Sequence, residues 1–562
     1  MEERMEQRVE QEARRAEAAE QKREAGGTAP VQKETGGSVP AENRMISGSD
    51  YGRMVMGRTP MGQTSAGEAS AQVDEHRIFM RKNYAFFGGA SVLYALFYTF
   101  CLYRNASGIT WPFFAAGTLV YFYSCTRRSG VPWKKDNIFY LVSILLLGVS
   151  IFLTDNIAIQ NVTKLGIFLL AVSMMLHQYL NDRRWNLSKY LLSLGQALLE
   201  TVASLGYPVS DGNAWMKERE RDGKNAKGRY VLLGILILCP LLVIILALLA
   251  SADLVFRELF IHLFDYVEPI DIFMVCFMLV TMFFASYSFI AMLNRRVIKE
   301  ECADKRKQEP VLAITVTSVL AFVYLIFCGI QIVYLFLRKS GLPEGQSYAS
   351  YARQGFFQLL TVCVINLAIV LICLSLFRES RVLKGILAVI SLCTYCMVAS
   401  SAYRMLLYID AYRLTFLRVL VLWALAVIAV ALAGILCSIF RSDFPLFRYL
   451  VTVVTVFYIV LAYAKPDYWI ARYNMEYVNR ESGMELTAEQ REEFYGDFLY
   501  LSELSADAVP VLASEENYEF LCGQTDSMQR YFDRMEARVE KDGIRSFNVS
   551  RFLAGRALEK VR

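Results

Sequence analysis

Apolar residues run through the middle of this chain in blocks longer than a soluble core helix needs. Eleven blocks stand out: Tyr84–Tyr103, Ile109–Cys125, Ile138–Thr154, Val162–Leu180, Tyr230–Ala250, Ile272–Leu293, Val311–Leu337, Phe356–Phe377, Ile386–Leu407, Leu417–Phe440 and Leu446–Ala464. A helix needs about 20 apolar residues to cross the hydrocarbon of a bilayer. Backbone groups in lipid must be satisfied internally, which leaves helices or closed barrels, and blocks this continuous are not barrel strands. The pattern predicts an all-α fold, a polytopic transmembrane helix bundle of about 11 spans over residues 76–464. The second and third blocks are short, so a fused or missed span there would invert the order of sides downstream.

Polar positions set other periods outside these blocks. Residues 1–75 are charged and then rich in Gly, Ser, Thr, Gln and Pro, and predict a disordered N-terminal tether. Met1, Met5 and Val9 form too thin a stripe for a coiled-coil handle. The tether has no apolar run of the signal-peptide kind, so insertion is expected to begin at the first internal span. Residues 188–206 place Leu191, Leu194, Leu198, Val202 and Leu205 at helical spacing behind a basic stretch. They predict a helix lying in the membrane interface, as a connector in preference to a gating element.

Residues 465–562 are polar and amphipathic, and predict a small helical C-terminal region. Thr487 caps a first helix over 486–505 with Gln490 three residues on, and Ser527–Lys541 and Arg545–Val561 form two more. Their aromatic residues, at helical spacing, read as core.

Charge then assigns sides. Lys and Arg crowd the segments before the first span, between spans two and three, over 181–229 and over 294–310, while the alternate loops are nearly bare. This alternation puts the N-terminus in the cytoplasm and, with an odd number of spans, the C-terminal region outside, in a bacterial cytoplasmic membrane. Net charge is only +5 with no dense basic block, so the partners expected are the lipid bilayer and a protein at the extracytoplasmic face, not nucleic acid.

Composition narrows the chemistry. The chain is 55% hydrophobic and 20% charged, with a mean hydropathy of +0.33. Three His leave little for metal sites, and most of the 12 Cys sit inside apolar blocks, including the lone pair Cys393 and Cys396. No catalytic, cofactor or metal motif is present, so no cofactor is expected. The carboxylates between Asp253 and Asp271 lack calcium-loop spacing and read as a solvated acidic face. Polar residues inside spans are few: His177 and Gln178 near one end, Gln331 and Asn366 within, Arg404 near the other end. Gln331 and Asn366 read as bonds between helices. Pro240 predicts a bend, and Ala429, Ala433 and Cys437, four apart, predict a close-packing face.

Several stretches carry a resemblance. They are Ser251-Ala-Asp253 with Phe256; Tyr348 through Arg353 to Phe357; Ser401 through Arg404 and Tyr408 to Leu414 and Arg418; Ile470 to Asn474; Leu501 through Asp507 to Pro510; and Arg545 to Arg551. Together they resemble a family of bacterial polytopic membrane proteins catalogued as a domain of unknown function, over roughly residues 80–562. The resemblance implies an architecture and a membrane address and brings no activity. Gln358 stands where the family commonly has an acid, which speaks against a proton or cation role there. Arg413 stands where it commonly has Gly, which implies that the turn before Leu414 needs no left-handed residue.

These stretches all fall on one expected side. They point to a charged outer-face cluster of Asp253, Arg353, Arg404, Asp410, Arg472 and Asp507, in which the arginines face the carboxylates and hold the tail on the bundle. The function that follows is a non-enzymatic integral membrane protein, a sensor, scaffold or envelope-associated factor. The alternative is a transporter or flippase of a lipid-like or small apolar substrate, which a mid-membrane cavity around Gln331 and Asn366 would favour.

Overall fold

Helices in this chain start and stop where apolar blocks meet polar or turn-forming sequence, and Asn156 and Asn548 cap the first turns of the helices they precede. The computed structural model describes residues 78–182, 185, 187–221, 251–253, 269–298, 308–333, 356–441, 443–481, 496–541 and 543–562, with single positions between 234 and 249. The expected tether, most of the span Tyr230–Ala250 including Pro240, most of the acidic stretch after Asp253, and the Thr487 cap fall outside the described residues.

The bundle consists of α1 (Tyr84–Leu102), α2 (Thr110–Arg128), α3 (Ile138–Leu153), α4 (Ile157–Tyr179), α5 (Leu187–Ala203), α6 (Tyr207–Arg221), α7 (Pro269–Arg295), α8 (Pro310–Gln331), α9 (Phe356–Leu376), α10 (Arg381–Tyr412), α11 (Phe416–Phe440) and α12 (Leu446–Tyr463). The tail adds α13 (Pro466–Glu481), α14 (Val509–Leu512), α15 (Glu515–Gln524), α16 (Asp526–Glu540) and α17 (Val549–Val561). Among the described residues there is no strand, only an isolated bridge between Gln308 and Phe377. Nine helices among the described residues are long and apolar enough to span a membrane: α1, α3, α4 and α7 to α12. The second expected span is present as α2, 19 residues long, but its Thr and Ser content and terminal Arg127 and Arg128 leave it outside that set.

The helices form two packed groups. The first, α1 to α7, surrounds Phe87, Ile144, Leu147, Met174 and Tyr287; the second, α8 to α11, surrounds Cys363, Leu387, Leu425 and Ile435. Helix α12 packs on α3 of the first and on α11 of the second. Leu93, Leu96 and Phe100 of α1 and Val319, Phe322 and Ile326 of α8 face outward as apolar stripes, the surface a bilayer covers. Helix α5 stacks Tyr190 on Phe447 at the start of α12, and the Ser204 carbonyl beyond its far end accepts from the Ser288 hydroxyl of α7. Its Leu191, Leu192, Leu199 and Val202 face outward.

Three details differ from the sequence reading, each for a packing reason. Ala433 and Cys437 are exposed; the close approach is at Gly434, where a Cβ would run into the ring of Tyr449, whose hydroxyl bonds the Val430 carbonyl. The last helix begins at Val549, later than the expected Arg545, because the Asn548 side chain accepts from the Ser550 and Arg551 N–H groups and caps it. Finally, Arg413 does take the left-handed side, at φ 69° and ψ −179°, a region close to Gly-only. Its guanidinium holds that turn, 3.6 Å from Asp497 and over the ring of Tyr477. These contacts offset a backbone cost of about 1–3 kcal/mol.

The tail has its own core of Ile470, Phe498, Leu501, Leu512, Met528, Tyr531 and Phe532. It sits on the bundle end formed by the loops 103–109, 154–156 and 413–415. Asn83, beside the start of α1, is at the other end, where it accepts from Arg128.

Candidate ligand site at the junction of tail and bundle

Only three residues join α3 to α4, Thr154, Asp155 and Asn156, and all are buried. Such a short link between two apolar helices leaves backbone groups that water cannot reach, so the tail must satisfy them. Asn548 does so: its Nδ2 donates to the carbonyls of Ser107 (3.1 Å), Ile151 (3.2 Å) and Thr154 (3.0 Å). The Ser550 hydroxyl donates to the Leu153 carbonyl at 2.7 Å.

Three buried carboxylates then meet. Asp507 accepts from the Thr154 hydroxyl, the Asp155 N–H (3.2 Å) and the Ser550 hydroxyl, with Lys465 Nζ at 3.7 Å. Asp467, in the first turn of α13, accepts from Asn156 Nδ2 (2.9 Å) and from the Ser505 N–H (3.1 Å) and hydroxyl. Asp155 pairs with Arg551 at 3.1 Å and Arg538 at 3.3 Å. The tail is tied to the second helix group too. Asn474 exchanges hydrogen bonds with the Leu414 backbone (3.0 Å each way), and the Phe416 N–H donates to the Tyr500 hydroxyl.

Above this network a pocket of about 590 Å³ opens, lined among others by Asp155, Asp467, Ser505, Arg534, Arg538 and Lys541. Arg534, Arg538 and Lys541 project from one face of α16 and its end. Across from them stand Ile157 and Ala158 in the first turn of α4, where helical N–H groups have no intrahelical acceptor. Asp155 and Asp467 are engaged in structural bonds, so the charged groups lining the open space are Arg534, which donates to the Ser502 carbonyl at 3.0 Å, Arg538 on its Asp155 pair, Lys541, and the exposed Glu503.

Burial pushes the carboxyls of Asp155 and Asp467 above the usual carboxylate range, against the pull of Arg551 and Arg538 on the first and of Ser505 and Asn156 on the second. A raised carboxyl holds its proton more tightly docked than undocked. The contribution to docking is therefore fullest at low pH and falls as pH rises through the raised values. At the opposite end Asp182 behaves the other way. Burial works against its charge, but the 2.8 Å bond to His177 Nδ1 and the Arg448 guanidinium at 3.0 Å hold it below the usual range. Its contribution is present above the ordinary carboxylate value and lost as pH falls through the lowered one. Acidification through the raised values of Asp155 and Asp467 should thus slow hydrogen exchange in α17, corrected for intrinsic rates, and exchange around 180–182 should speed up only once pH falls below the ordinary carboxylate range; parallel changes at both ends would refute this.

Of the residues expected to form an outer-face cluster, only Asp507 belongs to this network, and its cation is Lys465 rather than an arginine of the set. Asp253 is exposed at the edge of a described segment, and Arg353 lies outside the described residues. Arg404 is buried within the second group, donating to Gln331 Oε1 at 3.3 Å. Asp410 accepts from the Tyr477 hydroxyl at 3.1 Å. Arg472 pairs with Glu476 one turn along the exposed face of α13 and lies over Trp469, so the expected facing of Arg472 on an aspartate is replaced by a local pair. Gln331 and Asn366 bond across helices, to the hydroxyls of Ser400 and Thr394. Sequence reasoning missed Asp155, Asp467 and Arg538. The available signal was the polar triplet Thr154-Asp155-Asn156 wedged between two apolar blocks.

Residues 141–515 match the family described as Domain of unknown function (DUF4153). The loop 103–109 and the helices α16 and α17, which complete the junction, lie outside the matched stretch. No curated protein and no solved structure matches the chain.

Proposed function

The chain belongs to that family, whose match covers about two thirds of its length, and on this premise we propose that it is a non-enzymatic sensor of the bacterial cytoplasmic membrane. Its apolar helices make it an integral membrane protein; the sensing role is our reading of the junction. The carrying observation is the 590 Å³ pocket, whose walls come from the tail on one side and from the start of α4 on the other. The same tail is bonded to loops of both helix groups, so a ligand that prefers one arrangement of tail and bundle shifts both. Basic residues near Asn83 support a cytoplasmic N-terminus, which makes the tail extracytoplasmic.

The test is ligand retention under native lipid conditions. Mass spectrometry of the purified full chain should find a small molecule that Arg538→Glu loses while the tail stays protease-resistant. Equal retention by both proteins would reject the pocket as the working site. The transporter reading draws on the division into two helix groups linked by α12. Proteoliposomes test it directly, because a flippase would expose inner-leaflet fluorescent lipid to an external quencher, and we expect only the outer-leaflet fraction to be quenched.

A further inference from the structure

A second polar pocket lies at the tip of the tail, apart from the junction pocket and independent of the sensing role. It holds about 250 Å³ and is lined by Arg104, Asn105, Gly543, Ile544, Arg545 and Ser546. The loop side ends α1. Arg104 sits there at φ 51°, a left-handed conformation that a non-Gly residue adopts only where its surroundings hold it. The tail side is the turn before α17, anchored by Asn105 Nδ2 donating to the Arg545 carbonyl at 3.0 Å.

The charges do not cancel. Arg104 reaches Asp271 at 2.6 Å, yet its side chain stays 60% exposed. Arg545 donates only to backbone, the carbonyls of Phe100 (2.9 Å) and Tyr103 (3.1 Å), and has no carboxylate partner among the described residues. Among the described residues the lining thus holds one guanidinium, that of Arg545, with no carboxylate partner, beside the hydroxyl of Ser546.

What surrounds it is apolar. Leu93, Leu96 and Phe100 form a continuous exposed stripe along the spanning helix α1, and the stripe ends at Phe100, 60% exposed, beneath the Arg545 guanidinium at 5.7 Å. On the tail side Ile544 is 92% exposed, with Phe552 and Leu553 also turned outward on α17. A bare isoleucine beside an arginine, directly above a lipid-facing stripe, is the arrangement of a group seated at the boundary of headgroups and acyl chains.

We propose that this pocket binds the phosphodiester of an anionic bilayer phospholipid. The acyl chains would lie along Leu93, Leu96 and Phe100, the phosphate between Arg104 and Arg545, and Ile544 in the leaflet as an anchor for the tail. A free phosphate would use the same guanidinium chemistry but would leave Ile544 and the stripe unexplained, and the lipid is therefore the ligand.

The experiment uses the full chain and phosphatidylglycerol as the probe. Native mass spectrometry should find it retained over phosphatidylcholine, with Arg545→Gln and Arg104→Gln each lowering retention about tenfold, the loss of one charge-assisted contact. Excess inorganic phosphate should leave retention unchanged. Equal retention by the wild type and Arg104→Gln, or displacement by inorganic phosphate, would overturn the proposal. A second readout does not depend on the arginines. In nanodiscs, Ile544→Trp should add a component quenched by lipids brominated near the headgroup beyond the quenching that the wild type shows from its six native tryptophans; an added component that stays unquenched would place Ile544 in water and reject the anchor.

Discussion

Replacing Gly108 with alanine is expected to lift the tail from the bundle. Gly108 lies in the loop between α1 and α2, and its N–H donates to Asn105 Oδ1 at 2.9 Å. An added Cβ would lie 2.6 Å from the Ser546 Cα and closer still to the Arg545 carbonyl oxygen. Both are backbone atoms and cannot rotate aside, so the turn before α17 has to move. That turn carries the Arg545 contacts to Phe100 and Tyr103 and positions Asn548. Overpacking typically costs 1–3 kcal/mol, and a backbone-blocked site falls at the upper end. About 3 kcal/mol raises the undocked population on the order of a hundredfold. Hydrogen exchange in the first turn of α17, where Asn548 and Ser550 bond the bundle, reads this directly, and the tail core around Met528, Tyr531 and Leu558 should stay protected. Gly89→Ala is the control, since nothing lies within 4 Å of its added Cβ in α1. Unchanged exchange in Gly108→Ala would mean that the tail is held elsewhere.

The spanning helices were legible because their signal is local. A run such as Leu417–Phe440 has to be helical in lipid whatever its neighbours do, and α11 occupies Phe416–Phe440. The polar junction was legible only in part, because its meaning is nonlocal. Asp507 was singled out from its own neighbourhood, but Asp155 looks from the sequence like an ordinary loop acid. Its role comes from Arg538 and Arg551, hundreds of positions along the chain. Arg413 shows the opposite failure. An arginine where the resembled family commonly has glycine implies a turn without a left-handed residue, whereas Asp497 and the Tyr477 ring hold Arg413 on that side. Charge alone also paired Arg472 with the wrong partner: the glutamate one turn away reaches it before any distant aspartate can. In each case, periodicity located the helix and tertiary contact decided what its polar residues do.

Asn548→Asp should undock the tail at neutral pH and restore docking in acid. Asn548 is fully buried and serves two ends of one contact. Its Oδ1 accepts from the N–H groups of Ser550 and Arg551, and its Nδ2 donates to three carbonyls of the bundle. Aspartate keeps the first function, because it is as good a helix cap as asparagine. It inverts the second, aiming a carboxylate oxygen at the Ser107, Ile151 and Thr154 carbonyls. An unpaired buried charge of this kind costs about 3–5 kcal/mol, which exceeds what the remaining junction bonds supply singly. The new carboxyl relieves the conflict by binding a proton, which burial favours and which returns one donor to the carbonyls. Docking therefore strengthens as pH falls, the sign expected for a raised carboxyl, and more steeply than the wild-type dependence set by Asp155 and Asp467. Asn548→Ala separates the two roles. It loses the cap and the donors together, creates no charge, and should weaken docking without that added pH dependence. Should Asn548→Asp and Asn548→Ala respond to pH alike, the three carbonyls are not what holds the tail.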